Sequence, residues 1–370
     1  MLYVGVDLHK KSISVCGVNR DRRVLETRRL LCCEEQKIVE TFKTFREVHQ
    51  VVEVVVEATA SYEWFLKLIE PLVDRVVLAH PKKLRVIAES TRKSDKLDAK
   101  ILAEFLALDM IPKAYRPTPR QREHRALVRQ RRRIQKQITA VKNAVRRLLS
   151  HYNADIPSPF TREGRAYIEA QPLSRADRFA MKQLLVQLDQ FAKQRLEADR
   201  ELAAFAQEGS ERERENREIL NSIGGVGVVT TDVVLSELGD MQRFSSAKKV
   251  VAYAGLAPGQ RESAGKRKDL PIEKCGSRLL RATLVEAAWQ LVRRSPKYQS
   301  IFNRLWERTG QRKKAIVAIA RRLLSLMYSL LKSRQRFQNG LDLASATKPK
   351  RKRTSTKTKG PSPKAKAATT

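Results

Sequence analysis

LYVGVDLHKKSISVCGV, residues 2–18, decides how the N-terminal part of the chain is read. Two β-prone runs, Leu2 to Val6 and Ser12 to Val18, flank the polar LHKK, the pattern of a hairpin, and Val24 to Leu31 reads as a third antiparallel strand. Outward from these, Glu34 to Val48 has amphipathic helical spacing. Val51 to Val56 is a nearly continuous apolar run, as in a strand buried on both faces. A helix in TASYEWFLKLIEPL, a short strand from Arg75 to Leu78, a basic helix from Pro81 to Ser90 and a helix in SDKLDAKILAEFL follow. Strand, strand, strand, helix, strand, helix, strand, helix is the order of an RNase H-like α/β fold, predicted for residues 1–118.

The same segments deliver four acids. Asp7 closes the first strand, Glu57 closes VVVEAT, and Asp95 and Asp98 lie three residues apart on one helix. Each alone reads equally as a turn cap, a buried ion-pair member or a first-turn acid favoured by the helix dipole. Gathered together they would repel one another, and the usual remedy is a hard divalent cation, Mg2+ or Mn2+. A pair of such ions clamps the attacking and leaving oxygens of a phosphodiester. His9 and Lys10 stand at the rim of that site. Tyr62 is placed to stack on a base, whereas Trp64 and Tyr253 read as core residues.

Lys and Arg total 75 against 40 Asp and Glu, a net charge of +35 that points to a polyanionic partner. No run approaches the roughly 18 apolar residues of a membrane span. Cys16, Cys32, Cys33 and Cys275 lack zinc spacing and read as reduced thiols of a cytoplasmic protein.

From 119 the chain reads as a long basic helix, with Leu127, Ile134, Ile138, Val141, Val145 and Leu148 at helical spacing and Arg131, Arg132 and Arg133 within RQRRR. Turn signals fill 152–174, and a second long helix runs from 175 to 220. The two make an antiparallel hairpin or coiled-coil arm spanning 119–217, either a solvated spacer or an arm for dimerisation or nucleic-acid binding. Residues 218–340 form a mainly α unit. SIGGVG resembles a helix-hairpin-helix turn, in which Gly225 and Gly227 let backbone N–H groups approach a phosphate, and equally a plain tight turn. Ser245 or Ser246 caps a helix reaching Ala254. A basic loop at 258–277, possibly with short strands, precedes helices at 277–293 and 311–333. Residues 341–370 read as a disordered basic tail that adds salt-sensitive nucleic-acid affinity, the last 24 residues holding almost no large apolar side chain.

VGVDLHK, VVVEATASYEW, KSDKLDAKILAEFL, SIGGVG, FSSAKKVVAYAGLAP and RESAGK occur in this order. Together they resemble the DEDD-type transposases of bacterial insertion sequences, the IS-one-ten family, over residues 1 to about 335. The resemblance implies a RuvC-like domain whose four acids, matched by Asp7, Glu57, Asp95 and Asp98, bind Mg2+. It also implies a coiled coil and a C-terminal transposase domain with a catalytic serine after the AGLxP segment. Ser263 matches that serine; many relatives carry glycine directly after it, whereas Ala264 intervenes here before Gly265. Ser277, a nearby alternative, reads as a helix cap. The implied activity is bridge-RNA-guided recombination of donor and target DNA by a homodimer or homotetramer, in the cytoplasm on the nucleoid. Ser263 would attack the phosphodiester, and Arg261, Lys266, Arg267 and Lys268 would face the phosphates. Two other readings use parts of the same pattern. One is a Holliday-junction-type endonuclease with water as nucleophile; the other is a binding protein that tolerates loss of the acids.

Overall fold

A computed structural model describes residues 1–59, 62–87, 95–263 and 266–338, with backbone alone at 85–87, 95–97, 260–263 and 266–269. The last residues of the basic helix expected through Ser90 and the tail at 341–370 lie outside the described residues. Two units are separated after Pro117.

In the first unit β1 (Leu2–Leu8), β2 (Ser12–Val18), β3 (Val24–Leu31), β4 (Val52–Glu57) and β5 (Arg75–Ala79) form a five-stranded sheet in the order β3-β2-β1-β4-β5. β1, β2 and β3 are antiparallel neighbours; β1 pairs parallel with β4, and β4 with β5. The pleat sends Leu2, Val4, Val6 and Leu8 to one face, where α1 (Glu35–Val48) supplies Ile38, Phe42 and Phe45, and α2 (Tyr62–Ile69) supplies Phe65, Leu66 and Ile69. On the other face Tyr3, Cys16, Val18, Val55, Val77 and Ala79 meet Ala99, Leu102, Ala103 and Leu106 of α4 (Asp95–Ala107). Covered on both faces, β4 accounts for the unbroken apolar run. A short helix α3 (Pro81–Ile87) follows β5, whose outer edge is covered by residues 112–114 through Ala114 N to Leu78 O at 2.7 Å and His80 N to Pro112 O at 2.8 Å. β3 is the opposite edge, and most of its residues are exposed.

The second unit opens with α5 (Pro119–His151), which runs antiparallel to α7 (Arg175–Gln207). Met181 groups with Val145 and Leu149, Leu188 with Ile134, Ile138 and Val141, and Leu202 with Val128. The expected apolar stripe is shifted at its ends, where Val128 and Leu149 are buried and Leu127 and Leu148 only half-buried. Between them the expected turn holds a short helix, α6 (Arg162–Glu169), whose Ile168 is buried.

The single helix expected over 175–220 is instead two, α7 and α8 (Glu211–Asn221), broken at Gly209. Ser210 Oγ accepts from the Glu213 amide and starts a new helix, satisfying a donor that a continuous helix would have paired internally. Ser210→Ala is expected to lower stability by about 1 kcal/mol in urea unfolding; an unchanged midpoint would refute the capping role. α9 (Val228–Leu238), α10 (Ala247–Tyr253), the hairpin β6 (Pro258–Ser263) and β7 (Lys266–Ile272), α11 (Arg278–Arg294), α12 (Pro296–Thr309) and α13 (Arg312–Ser333) complete the unit. Ser246 caps α10 and Ser277 caps α11, as anticipated. α12 was not anticipated. α5 is fixed to α8 and α9 by a buried polar cluster: Asp232 accepts from Arg217 and lies 3.0 Å from His124 Nε2. No described helix is long and apolar enough to cross a membrane.

Candidate active site

Val6 of β1 is in register with Val56 of β4 in a parallel pair, so the next residues, Asp7 and Glu57, stand side by side at neighbouring strand ends. Both occupy odd positions of the pleat, and that face carries α4. Both are half-buried; the Asp7 side chain is 13% exposed, and its Oδ2 lies 3.0 Å from His9 Nε2, whose side chain is 48% exposed. The tight turn that returns the chain into β2, with His9 N bonded to Ser12 O at 3.0 Å, brings His9 back over Asp7. Lys10 is exposed at that turn. Tyr62 and Trp64 are half-buried against the core of the first unit, as expected for Trp64.

α4 can lie on this face because residue 5 is glycine. A Cβ there would fall 2.0 Å from Ala99 O and 2.5 Å from Ala103 N, so helix backbone rests on strand backbone. Asp98 directly precedes Ala99 and is half-buried; Asp95 begins the same helix, and its side chain lies outside the described residues. Gly5→Ala forces backbone to shift and is expected to destabilise by about 1–3 kcal/mol. Chemical denaturation measures this; a wild-type midpoint would mean α4 is not seated here.

Among the described residues no three His, Cys, Asp or Glu side chains converge as a ligand set. What the structure brings together is a pair of strand carboxylates beside the helix that bears Asp98. An all-oxygen donor set of this kind fits a hard divalent cation and not a soft one.

The remaining candidates lie in the second unit. Ser263 ends β6 opposite Lys266 of β7, and the side chains of Ser263, Arg261, Lys266, Arg267 and Lys268 lie outside those described. On α5, Arg131 turns into the helical hairpin and pairs with Asp199, whereas Arg132 and Arg133 face solvent. Gly225, at φ 89°, packs against Gln290 and Leu291 of α11; Gly227 is exposed and starts α9, followed by Val228 at 62% exposure. Tyr253 departs from the core placement expected: it is 36% exposed at the end of α10, edge-on to Phe244 and with the Arg243 guanidinium 4.4 Å above its ring. Gly5 escaped the sequence reading; a glycine inside an otherwise β-branched strand is the signal that marks a close backbone approach.

Residues 4–154 match a family model described as Transposase, of the DEDD type named for IS110, and residues 217–303 match one described as Transposase IS116/IS110/IS902 family. The chain is 28% identical over 350 residues to the transposase for insertion sequence element IS1111A of Coxiella burnetii, covering 91% of both chains. It is 25% identical over 346 residues to the pilin gene-inverting protein of Moraxella lacunata, covering 90% of this chain and 97% of that one. To the transposase for insertion sequence element IS1328 of Yersinia enterocolitica it is 26% identical over 257 residues, 67% of this chain and 72% of that one.

Proposed function

We propose, from the premise that this chain belongs to the IS110 family of DEDD transposases, that it cuts and rejoins donor and target DNA with its four acids and a serine nucleophile. The observation that carries the reading is the pairing of Asp7 and Glu57 at the ends of adjacent parallel strands, on the face where Gly5 seats α4. The sheet order supports an RNase H-like, RuvC-like catalytic domain over 1–118. The α5–α7 hairpin supports a coiled-coil arm over 119–217. Residues 218–340 would form the serine-bearing transposase domain and 341–370 the basic tail.

Asp7, Glu57, Asp95 and Asp98 would hold Mg2+ or Mn2+, which when bound neutralises charge on a phosphate oxygen. Ser263 Oγ loses its proton and bonds to phosphorus while the bond from phosphorus to a deoxyribose oxygen breaks; that oxygen leaves with a proton. Attack by the hydroxyl of another strand on the phosphoserine reverses the exchange. One phosphodiester replaces another, so no nucleotide triphosphate is consumed. Lys266, Arg267 and Lys268 follow the serine closely and stabilise the charge that develops. Arg132, Arg133, Arg261 and Lys10 meet phosphates, and the turn at Gly225 and Gly227, exposed at Gly227, offers backbone N–H groups. Similarity to a protein named for inverting a pilin gene supports rejoining as well as cutting, because inversion leaves the DNA joined. A bridge RNA would select the sites, and a dimer or tetramer would hold two duplexes. Such a complex would work in the cytoplasm on the nucleoid.

The test incubates the protein, with its co-purified RNA and Mg2+, with end-labelled DNA spanning the element junction, and runs the products on a denaturing gel. A covalent protein–DNA adduct is expected. Cleavage without an adduct would replace the serine by water, and the absence of both cleavage and adduct would overturn the catalytic reading.

A further inference from the structure

β6 and β7 form a two-stranded sheet of their own, and an isolated hairpin of that size is marginally stable in water. Its order must come from where it is rooted. The two feet of the hairpin cross with backbone against backbone: a Cβ on Gly255, at φ 69°, would lie 1.7 Å from Cys275 O, and one on Gly276, at φ 82°, would lie 2.1 Å from Tyr253 O. Glu273 N donates to Ala257 O at 3.2 Å just above the crossing. The side chain of Arg281 in α11 spans both feet. Its Nη1 lies 2.8 Å from Cys275 O, 3.1 Å from Gly276 O and 3.3 Å from Ala254 O. α11 itself is firmly held, capped by Ser277 and buried through Leu280, Leu284, Ala287, Ala288 and Leu291.

We infer that Arg281 is a positioning residue for the reaction: its guanidinium locks the feet of the hairpin to α11 and thereby fixes where Ser263 stands. This rests on the reading of Ser263 as the nucleophile. Ser263 is at the far end of β6, about 20 Å from the root at the usual strand rise of about 3.3 Å per residue. A tilt of about 5° at the root therefore moves the serine by roughly 1.7 Å, and a misplacement of about 1 Å costs on the order of 10²-fold in rate. A planar guanidinium presents several donors in a fixed plane, whereas a lysine ammonium is a compact point charge on a flexible stem.

The experiment compares wild type, Arg281→Ala and Arg281→Lys as full chains with co-purified RNA, Mg2+ and junction DNA. It reads the single-turnover rate of adduct formation at saturating DNA, the DNA affinity, and amide hydrogen exchange at Glu273, whose N–H bonds across the feet. For Arg281→Ala the adduct rate is expected to fall about 10- to 100-fold, with DNA affinity within about twofold and with faster exchange at the feet alone. Added guanidinium ion at low millimolar concentration should restore part of the rate, and Arg281→Lys should lie between. A wild-type adduct rate in Arg281→Ala, or a loss that follows DNA affinity, overturns the positioning role and leaves the serine reading standing. If the alanine variant does not fold, Arg281→Lys decides by the same measures. Absence of any adduct with the wild-type protein overturns both.

Discussion

Asp7→Asn should abolish strand cleavage while leaving the fold intact. The substitution keeps the size of the side chain and its contact with His9, and removes one negative charge from the pair formed with Glu57. If the carboxylates hold a cation that neutralises the phosphate, the loss is several kcal/mol of transition-state stabilisation, or about 10³-fold or more in rate. The same change should not harm the metal-free protein. Two carboxylates side by side repel, so with chelator present the melting temperature of the variant should equal or exceed that of wild type. Millimolar Mg2+ should then raise the melting temperature of wild type only. Glu53→Gln is the matched control. Glu53 shares a strand and a pleat face with Glu57 but lies four residues earlier, paired with Arg75 at 3.1 Å. Comparable loss in both variants, or cleavage within tenfold of wild type in Asp7→Asn, would remove Asp7 from the chemistry.

Ser263→Ala should eliminate the covalent adduct altogether, because in the proposed reaction no other group forms that bond. The controls come from serines with structural work. Ser277 Oγ accepts from Leu280 N at 3.2 Å, and Ser246 Oγ from Lys249 N at 3.4 Å, each capping a helix. Ser277→Ala and Ser246→Ala are each expected to lower stability by about 1 kcal/mol and to keep the adduct. Adduct formation surviving in Ser263→Ala but lost in Ser277→Ala, with the protein folded, would move the nucleophile to α11. A variant that still cuts without an adduct would point to water.

The five strands were legible because their β-branched runs are short, dense and separated by turn residues, and Asp7 and Glu57 stood out because they close two of those runs. What the sequence did not reveal is register. Nothing local says that Val6 faces Val56, and only that pairing makes Asp7 and Glu57 neighbours. The seat of α4 on Gly5 and the reach of Arg281 across two chain segments are likewise long-range facts. Two helices were missed for different reasons. α6 has eight residues and only a brief apolar face, below what periodicity detects. α12 did carry its signals, with Pro296 at its start, Tyr298 and Phe302 buried at helical spacing and Gly310 at its end in the left-handed region. The break at Gly209 was masked because helical spacing continues on both sides of it.

β3 has a further consequence. Among the described residues no further strand pairs with its outer side, and Val24, Leu25 and Leu31 on it are exposed. Such a rim is a template on which another chain can extend the sheet into an aggregate. Arg28 and Arg29 lie on the same strand in solvent, with Arg22 and Arg23 just before it. Two copies meeting rim to rim would bring these arginines against one another, so the basic composition of the chain opposes extension of the sheet from copy to copy.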